Sequence, residues 1–320
     1  MTSAQPIPPP ALTETELRDL GFGRVVSEQS RQRLLNPDGT FNVRRTGLRF
    51  RSSFSIYHAF LTMPWWEYFS ILFVSYLAAN MAFAGAYLLC GPGALSGPGV
   101  ESFGGPFWRA FFFSVQTSAT IGYGQIHPVG LPANLIVTAE SLISLLSFAL
   151  ATGLLFARFS RPNVHILFSR NALIAPYRDL RSFQFRIANA RSSQIIELEA
   201  TVLFTRFEPD GERRMRRYYL LPLERPKVVF FPLSWTVVHP INESSPLYGL
   251  TSRDLEEGDA EFLVLLTGID ETFSQTVHTR TSYVAEDIVW NARFANIFRQ
   301  EQSGTLEVAV DRIHEYERLS

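Results

Sequence analysis

The sequence predicts a membrane protein with two transmembrane α-helices, a short re-entrant helix between them and a C-terminal β-sandwich. Two apolar stretches are long enough to cross a bilayer, and the segment between them contains an apolar run that is too short to do so. After His165 the helical period is lost and short alternating runs take its place. Charged residues make up only 18% of the 320 residues, and Phe occurs 27 times. This composition disfavours a disordered chain and an ordinary cytosolic enzyme.

Cysteine usage and charge exclude further classes of protein. Cys90 is the single cysteine, so neither an intrachain disulfide nor a Cys-x-x-Cys zinc or redox site can form. The net charge of −1 gives no general reason to bind nucleic acid. No catalytic constellation is visible in the sequence, and we therefore do not expect an enzyme.

The two apolar stretches are the predicted spans. The first runs from Tyr68 to Cys90, and the second runs from Leu131 to Ala157 and carries one charge, Glu140. Since about 20 helical residues cross a hydrocarbon layer about 30 Å thick, both stretches are long enough. Trp65 and Trp66 precede the first stretch, as expected of aromatic residues at a membrane interface.

Basic residues predict how the spans are oriented. The 64 residues before the first span contain eight arginines, whereas Arg109 is the single Lys or Arg between the spans. Arg158 and Arg161 directly follow the second span. The positive-inside rule then places both termini in the cytoplasm. We expect a multi-pass protein of a plasma membrane or a bacterial inner membrane.

The segment between the spans predicts a re-entrant pore helix. A Gly/Pro-rich stretch is followed by Pro106, which suits the first turn of a helix, and by an apolar run that reaches Thr117. Non-helical backbone at membrane depth is tolerated only where it lines water or is buried in protein. The residues directly after this short helix are therefore expected to line a water-filled path.

Five residues after the short helix predict a selectivity filter for potassium ions. They are Thr120, Ile121, Gly122, Tyr123 and Gly124. A dehydrated K⁺ needs a cage of oxygens, which inward-pointing carbonyls supply, and glycines permit the backbone angles that this requires. We expect K⁺ to bind at Thr120, Ile121, Gly122 and Tyr123, and the Thr120 hydroxyl can add a ring of oxygens. Because one chain supplies one such loop, a homotetramer is expected.

Short alternating runs predict strands in the C-terminal half. These runs are Ile195–Arg206, Tyr218–Leu223, Val228–Leu233 and Phe262–Leu266. Asp210-Gly211 is typical of a hairpin turn. Several short strands at this spacing indicate a β-sandwich, and we see no glycine-rich phosphate loop that opens a helix.

Several separated motifs resemble the inward-rectifier potassium channels, in their prokaryotic form. The resemblance covers about residues 33–300. Its residues are Arg33 to Gly39 with Asn42-Val43, Phe111 to Thr117 before the filter, Gly153 to Pro162 at the end of the second span, His239 to Tyr248, Ser282-Tyr283 and Asp287 to Trp290. The resemblance implies an immunoglobulin-like cytoplasmic β-sandwich that extends the pore into the cell.

The resemblance also implies roles for single residues. Phe156 matches a bulky residue at the crossing of the inner helices, a candidate hydrophobic gate, with lipid-facing or interhelical packing as the alternative. Glu197 matches an acidic position that lines the cytoplasmic pore, although a solvated strand charge would look the same. Strong rectification requires an acidic residue in the second span. The matching position here is Phe148, so we expect weak block by polyamines.

Six arginines flank the membrane and predict contacts with anionic lipid, with topology alone as the alternative. They are Arg44, Arg45, Arg49, Arg51, Arg158 and Arg161. Basic clusters of the animal channels are absent from the matching positions, so we expect inhibition, or a response to other anionic lipids, instead of activation by phosphoinositides. A second arginine group surrounds the predicted hairpin and is expected to be solvated or inter-subunit; it comprises Arg213, Arg214, Arg216 and Arg217.

An ionisable residue inside a span is a functional candidate, so Glu140 needs an explanation. It either supports the region behind the filter, accepting a hydrogen bond from the pore helix, or is exposed at the interface.

The sequence therefore predicts a homotetrameric K⁺ channel without a voltage sensor and without a cofactor other than the permeant ion. Its predicted parts are a cytoplasmic N-terminal segment with an interfacial slide helix (1–64), a pore domain (65–160) and a cytoplasmic β-sandwich (161–320). Two alternatives remain open. One is a two-span K⁺ channel of another ligand-gated class, and the other is a non-conducting, membrane-anchored β-domain that binds a partner.

Overall fold

The computed structural model describes residues 33–42, 56–97, 104–160, 165–191, 194–211, 213–231, 233–300 and 306–319. The chain divides into two units. One unit spans Thr46–Arg161, and the other combines Met1–Arg45 with Pro162–Ser320. Of the six arginines that we predict to contact lipid, only Arg158 lies within the described residues.

Helices build the described part of the first unit. They are α1 (Ile56–Thr62), α2 (Trp65–Leu89), α3 (Pro106–Ser118) and α4 (Gly130–Phe159). With 25 and 30 residues, α2 and α4 are about 37 and 45 Å long, enough to cross a bilayer. Only 17% and 6% of their most apolar stretches are buried inside the protein, so they are not core helices of a soluble domain. The two predicted spans are confirmed, and each helix begins slightly before its apolar stretch.

A two-stranded ladder joins the two ends of the segment between the spans. Strand β1 (Leu95–Ser96) pairs antiparallel with β2 (His127–Pro128). Gly97 follows β1 with φ 128°, and a Cβ there would come 2.1 Å from the carbonyl oxygen of Gln125. Only glycine permits this approach, which holds the loop before α3 against the backbone just after Gly124.

The second unit contains two five-stranded sheets. In the first, the order is β11–β10–β6–β7, and β8 also pairs with β6; in the second it is β12–β4–β5–β3, and β9 also pairs with β5. The strands are β3 (Ile166–Phe168), β4 (Ala172–Tyr177), β5 (Leu180–Asn189), β6 (Ile195–Asp210), β7 (Arg213–Leu220), β8 (Lys227–Phe231), β9 (Ser234–Ile241), β10 (Glu261–Asp270), β11 (Gln275–Val284) and β12 (Ile288–Trp290). The short helix α5 (Ser252–Glu257) precedes β10. Two small ladders follow, β13 (Ala292–Phe294) with β16 (Tyr316–Arg318) and β14 (Phe298–Gln300) with β15 (Leu306–Val308).

The core lies between these two sheets. Phe183 of β5 stacks on Phe262 of β10, with 4.1 Å between the ring centroids. Phe204 of β6 and Phe185 of β5 are fully buried in the same cluster. The predicted β-sandwich is confirmed, including the hairpin turn after Asp210.

A short N-terminal segment, residues 33–42, docks on this sandwich. The backbone N–H groups of Leu34 and Leu35 donate to the carboxylate of Glu261 at 2.9–3.1 Å. Arg33 lies 3.3 Å from the carboxylate of Asp287, and Thr281 donates to the carbonyl of Pro37 at 3.0 Å. This part of the N-terminal region therefore belongs structurally to the C-terminal domain.

The expectation that all four hairpin arginines are solvated or inter-subunit is wrong for Arg216. Its guanidinium lies 3.4 Å from the Glu261 carboxylate, and both side chains are 1% exposed. The Arg216 cation is also 4.9 Å from the centre of the Phe207 ring. A buried carboxylate needs a partner and hydrogen-bond donors, and the pairing satisfies that need.

His239 of β9 is a buried histidine with a defined tautomer. Its Nδ1 lies 2.6 Å from the carbonyl oxygen of Pro222, which can only accept, so Nδ1 carries the proton. Nε2 then accepts from the Ser245 hydroxyl at 2.8 Å. Burial lowers the pKa of His239 and outweighs the hydrogen bond to Pro222, which acts in the opposite direction.

This geometry predicts a pH dependence of stability. In the unfolded chain His239 takes up a proton below about pH 6.5, whereas the folded ring resists protonation until lower pH. The free energy of unfolding should therefore fall as the pH drops from about 6.5 through the lowered pKa, by up to about 1.4 kcal/mol per pH unit. Thermal unfolding of the wild type and of His239→Asn between pH 7.5 and 5 measures this.

The variant should show a shallower pH dependence, because Asn does not titrate and can still donate to Pro222. The matched control variant is His278→Gln, which also removes one histidine, at an exposed position. Equal slopes for the wild type and His239→Asn would contradict the prediction.

Candidate functional site

Helix α3 is wedged between the two spanning helices. Pro106 occupies its first turn, where the missing N–H needs no partner. Phe113 of α3 packs with Ala84 and Tyr87 of α2, and Ile136 of α4 packs against the same cluster. With 13 residues, α3 is about 20 Å long and too short to span a bilayer, as predicted.

The backbone of Thr120–Gly124 alternates between left-handed and ordinary conformations. Left-handed φ angles occur at Thr120 (55°), Gly122 (58°) and Gly124 (76°), and not at Ile121 or Tyr123. Glycine adopts this conformation readily, whereas Thr120 does so at a cost of about 1 kcal/mol. Such a cost requires that surrounding contacts hold the loop.

Hydrogen bonds to α3 reveal which way the carbonyls of this loop point. The N–H groups of Ile121 and Gly122 both donate to the carbonyl of Gln116, at 2.8 and 3.3 Å. In a β-strand consecutive N–H groups point to opposite sides. Because C=O and N–H of a trans peptide are opposed, the carbonyls of Thr120 and Ile121 both point away from α3. Consecutive carbonyls on one side are what a cage for a dehydrated cation requires.

The loop Thr120–Gly124 is exposed within the single chain. Ile121 is 48% exposed and Tyr123 is 70% exposed. The rest of the chain therefore leaves this loop uncovered.

A buried polar network lies beside the loop and joins three helices. Glu140 of α4 is fully buried, and its carboxylate accepts hydrogen bonds from the hydroxyls of Tyr87 in α2 and Ser114 in α3. Asn80 of α2 accepts from Ser118 at the end of α3 at 3.0 Å, and its Oδ1 lies 2.9 Å from the Ser114 hydroxyl. Of the two interpretations of Glu140, the structure supports the hydrogen bond from the pore helix.

The partners of Glu140 are not evident from the sequence. Asn80 is the one signal that was available, because an amide inside a span must find a hydrogen-bond partner. Tyr87 and Ser114 carry no distinguishing pattern. Only the packing of α2, α3 and α4 brings them to one carboxylate.

Phe156 lies three residues before the end of α4 and is 73% exposed. Its ring is therefore largely uncovered by the other helices of its own chain. Phe148, about two turns earlier on the same helix, is also 73% exposed.

Arg158 has protein partners. Its guanidinium donates to the carbonyls of Phe60 and, at 2.7 Å, Met63, near the end of α1. It also lies over the rings of Trp65 and Tyr68, 4.4 and 4.8 Å from their centroids. The residue is 8% exposed, so its charge is used to join α1, α2 and α4. Arg44, Arg45, Arg49, Arg51 and Arg161 lie outside the described residues.

Glu197 lies at an irregular point of β6. Its φ is 53°, at a register shift between β6 and β10, and its side chain is 52% exposed. Lys227 of β8 approaches its carboxylate to 3.3 Å. The side chain thus keeps solvent access but has a cationic neighbour, which partly offsets its charge.

The buried network predicts a stability loss when its carboxylate is removed. Glu140→Ala leaves the hydroxyls of Tyr87 and Ser114 without their acceptor and should lower the free energy of unfolding by about 2–4 kcal/mol. Exposed Ser141 offers a neighbouring control, since Ser141→Ala should change it by less than about 0.5 kcal/mol. Thermal unfolding of the detergent-solubilised protein compares the two. Equal stabilities would show that the network contributes nothing.

Comparisons with known proteins agree with this arrangement. A family model described as "Inward rectifier potassium channel C-terminal domain" matches residues 166–320, and one described as "Ion channel" matches residues 69–161. The chain is 40% identical over 285 residues to the inward rectifier potassium channel Kirbac3.1 of Paramagnetospirillum magnetotacticum, with 88% of this chain and 95% of that protein aligned.

More distant relatives come from animals. The chain is 28% identical over 326 residues to the ATP-sensitive inward rectifier potassium channel 12 of Gallus gallus, covering 90% of this chain and 72% of that protein. It is 31% identical over 214 residues to the inward rectifier potassium channel 18 of Homo sapiens, covering 62% and 48%. The two family models cover both structural units, and the bacterial relative aligns over nearly its whole length. The resemblance predicted from the motifs is confirmed, and the chain belongs to the inward rectifier potassium channel family, in its prokaryotic form.

Proposed function

We propose that four copies of this chain surround one axis and conduct K⁺ passively and selectively across a membrane. The observation that carries the proposal is the backbone of Thr120–Gly124. The N–H groups of Ile121 and Gly122 are bound to α3, and the carbonyls of Thr120 and Ile121 therefore point away from α3, in a loop that is exposed within its own chain. Four such loops complete a cage of carbonyl oxygens that replaces the hydration shell of K⁺. In this proposal Thr120, Ile121, Gly122 and Tyr123 contact the ion.

The network around Glu140 supports this role. A selective cage needs its oxygens held in position, and the left-handed Thr120 is held only by surrounding contacts. Hydrogen bonds from Tyr87 and Ser114 to Glu140 fix α3, which in turn holds the loop through the Gln116 carbonyl.

Phe156 is the proposed inner gate. Four exposed phenylalanine rings brought together on an axis would form a hydrophobic constriction that excludes water and ions. Gly153, one turn earlier, is the small residue that can let the helix bend or pack closely. On the cytoplasmic side, Glu197 is proposed to line the ion path and attract cations, weakened by its ion pair with Lys227.

The membrane placement extends this proposal. Both termini lie in the cytoplasm of a plasma membrane or bacterial inner membrane, as the arginine distribution indicates. Anionic lipids are proposed to regulate the channel through Arg44, Arg45, Arg49, Arg51 and Arg161. Arg158 is left out of this set, because its guanidinium is bound by α1 and α2.

The two alternatives are weighed by the same observations. Residues 166–320 match the inward rectifier C-terminal domain, which disfavours a two-span channel of another ligand-gated class. A non-conducting anchor has no need of consecutive carbonyls aligned on one side or of a left-handed threonine. A transport measurement distinguishes the channel from the anchor.

The proposal predicts K⁺-dependent uptake of ⁸⁶Rb⁺ into liposomes that contain the purified protein. Uptake should require trapped K⁺, should be absent with trapped Na⁺, and should stop with Ba²⁺. Gly122→Asp should abolish it, because an aspartate cannot adopt the φ of 58° without strain and adds a charge to the cage. The variant must be recovered as the same oligomer as the wild type.

Gly93→Ala serves as the matched control, since Gly93 has an ordinary φ and no atom within 4 Å of a Cβ. This variant should conduct like the wild type. Uptake that does not distinguish K⁺ from Na⁺ would contradict the proposed selectivity. A folded tetramer that takes up no Rb⁺ in neutral or anionic liposomes, and that K⁺ does not stabilise thermally, would favour the anchor.

The proposed gate makes a separate prediction. Phe156→Ala should increase the initial rate of Rb⁺ uptake several-fold, because it widens the constriction. Leu150→Ala is the control, since Leu150 is 69% exposed on the same helix and should have little effect. An unchanged rate in Phe156→Ala, with K⁺ selectivity retained, would rule out Phe156 as the gate.

A further inference from the structure

Two arginines of the membrane unit (Thr46–Arg161) are buried to the same extent, but their surroundings differ. Arg109 and Arg158 are each 8% exposed. Arg158 donates to two carbonyls and lies over two aromatic rings. The Nε of Arg109 has no hydrogen-bond partner, and no described residue forms an ion pair with its side chain. A guanidinium keeps its charge in proteins, so burial without a counter-charge is costly.

We propose that Arg109 and the first turn of α3 form a binding site for the phosphate of an anionic phospholipid. This site lies in the segment between the spans, separate from the six arginines that precede the first span or lie at the end of the second. The proposal rests on the membrane placement of the chain and does not depend on ion conduction.

The chemistry of the start of α3 suits a phosphate. The first N–H groups of a helix have no acceptor within the helix, and Gly105 supplies no side-chain cap. Side chains of helical residues tilt toward the N-terminus, which directs Arg109 over this first turn. Free N–H groups, the positive end of the helix dipole and a planar guanidinium are together a strong phosphate-binding combination.

The neighbouring residues favour a lipid as the source of the phosphate. Trp108 is 49% exposed and Phe112 is 42% exposed, and their rings are 6.2 Å apart. Exposed Trp beside a basic side chain is typical of the level of lipid headgroups. A lipid chain can cover these rings while its phosphate reaches Arg109.

A protein carboxylate is the competing partner, and the sequence offers only one nearby. Between Glu67 and Glu140, Glu101 is the single acidic residue, and it lies outside the described residues. The test below therefore distinguishes a bound lipid from an ion pair between Arg109 and Glu101, in the same copy of the chain or in a second one.

The test measures binding of phosphatidylglycerol to the purified full-length protein in detergent. Native mass spectrometry counts the retained lipid, and thermal unfolding records its stabilising effect. We expect Arg109→Gln to lose one tightly bound phosphatidylglycerol per chain, with at least about tenfold weaker binding. Arg109→Lys, which keeps the charge but not the bidentate geometry, should show an intermediate loss. His127→Gln, an exposed change in the same segment, should bind like the wild type.

A second readout separates lipid binding from a structural role. Without phosphatidylglycerol, Arg109→Gln should be as stable as the wild type or more stable, because it removes a buried charge that lacks a counter-charge. The added lipid should then stabilise the wild type more than the variant. Phosphatidylcholine should bind more weakly at this site, and inorganic phosphate should not replace the anionic lipid.

Three results would overturn the proposal. The first is an unchanged lipid count in Arg109→Gln. The second is equal stabilisation by inorganic phosphate, which would assign the site to a free anion. The third concerns stability in lipid-free detergent. Glu101→Gln and Arg109→Gln would each lower the stability by the same amount, and the double variant would lower it no further. This result would show that Arg109 pairs with the Glu101 carboxylate.

Discussion

The Glu140 carboxylate is the interaction on which the membrane unit depends. A non-helical backbone at membrane depth must be held by protein, because lipid offers no hydrogen bonds. Here α3 holds the loop Thr120–Gly124 through the Gln116 carbonyl, and Glu140 holds α3 through Ser114. Tyr87 ties the same carboxylate to α2. The orientation of the Thr120 and Ile121 carbonyls therefore depends on a side chain in a different helix.

The second unit also contains a buried carboxylate that joins separate segments, that of Glu261. That carboxylate accepts hydrogen bonds from the backbone N–H groups of Leu34 and Leu35 and forms an ion pair with buried Arg216. Desolvating a carboxylate is costly unless donors surround it, and here two of the donors come from the N-terminal segment, far away in the chain. The buried charge therefore makes docking of this N-terminal segment specific as well as stable.

Two buried arginines show how buried cations differ from these buried carboxylates. Arg158 uses its charge to bind carbonyls at the end of α1 and to stack on Trp65, so it joins helices instead of facing a headgroup. Arg109 has no ion-pair partner among the described residues, and its Nε has no hydrogen-bond partner. Two arginines with the same exposure thus have different surroundings, which only the partners of each guanidinium reveal.

The sequence by itself determined the two spans, the short helix and the place of the glycine-containing loop after it, because each depends on local length, apolarity or glycine content. It also predicted a β-sandwich from alternating runs, but not the sheet order, which depends on pairings between distant strands. Tertiary structure alone decided that Glu140 faces α3, that Arg216 is buried and that Arg158 has protein partners. The physical reason is that burial of a charge is settled by which distant donors and acceptors surround it, and sequence distance carries no such information.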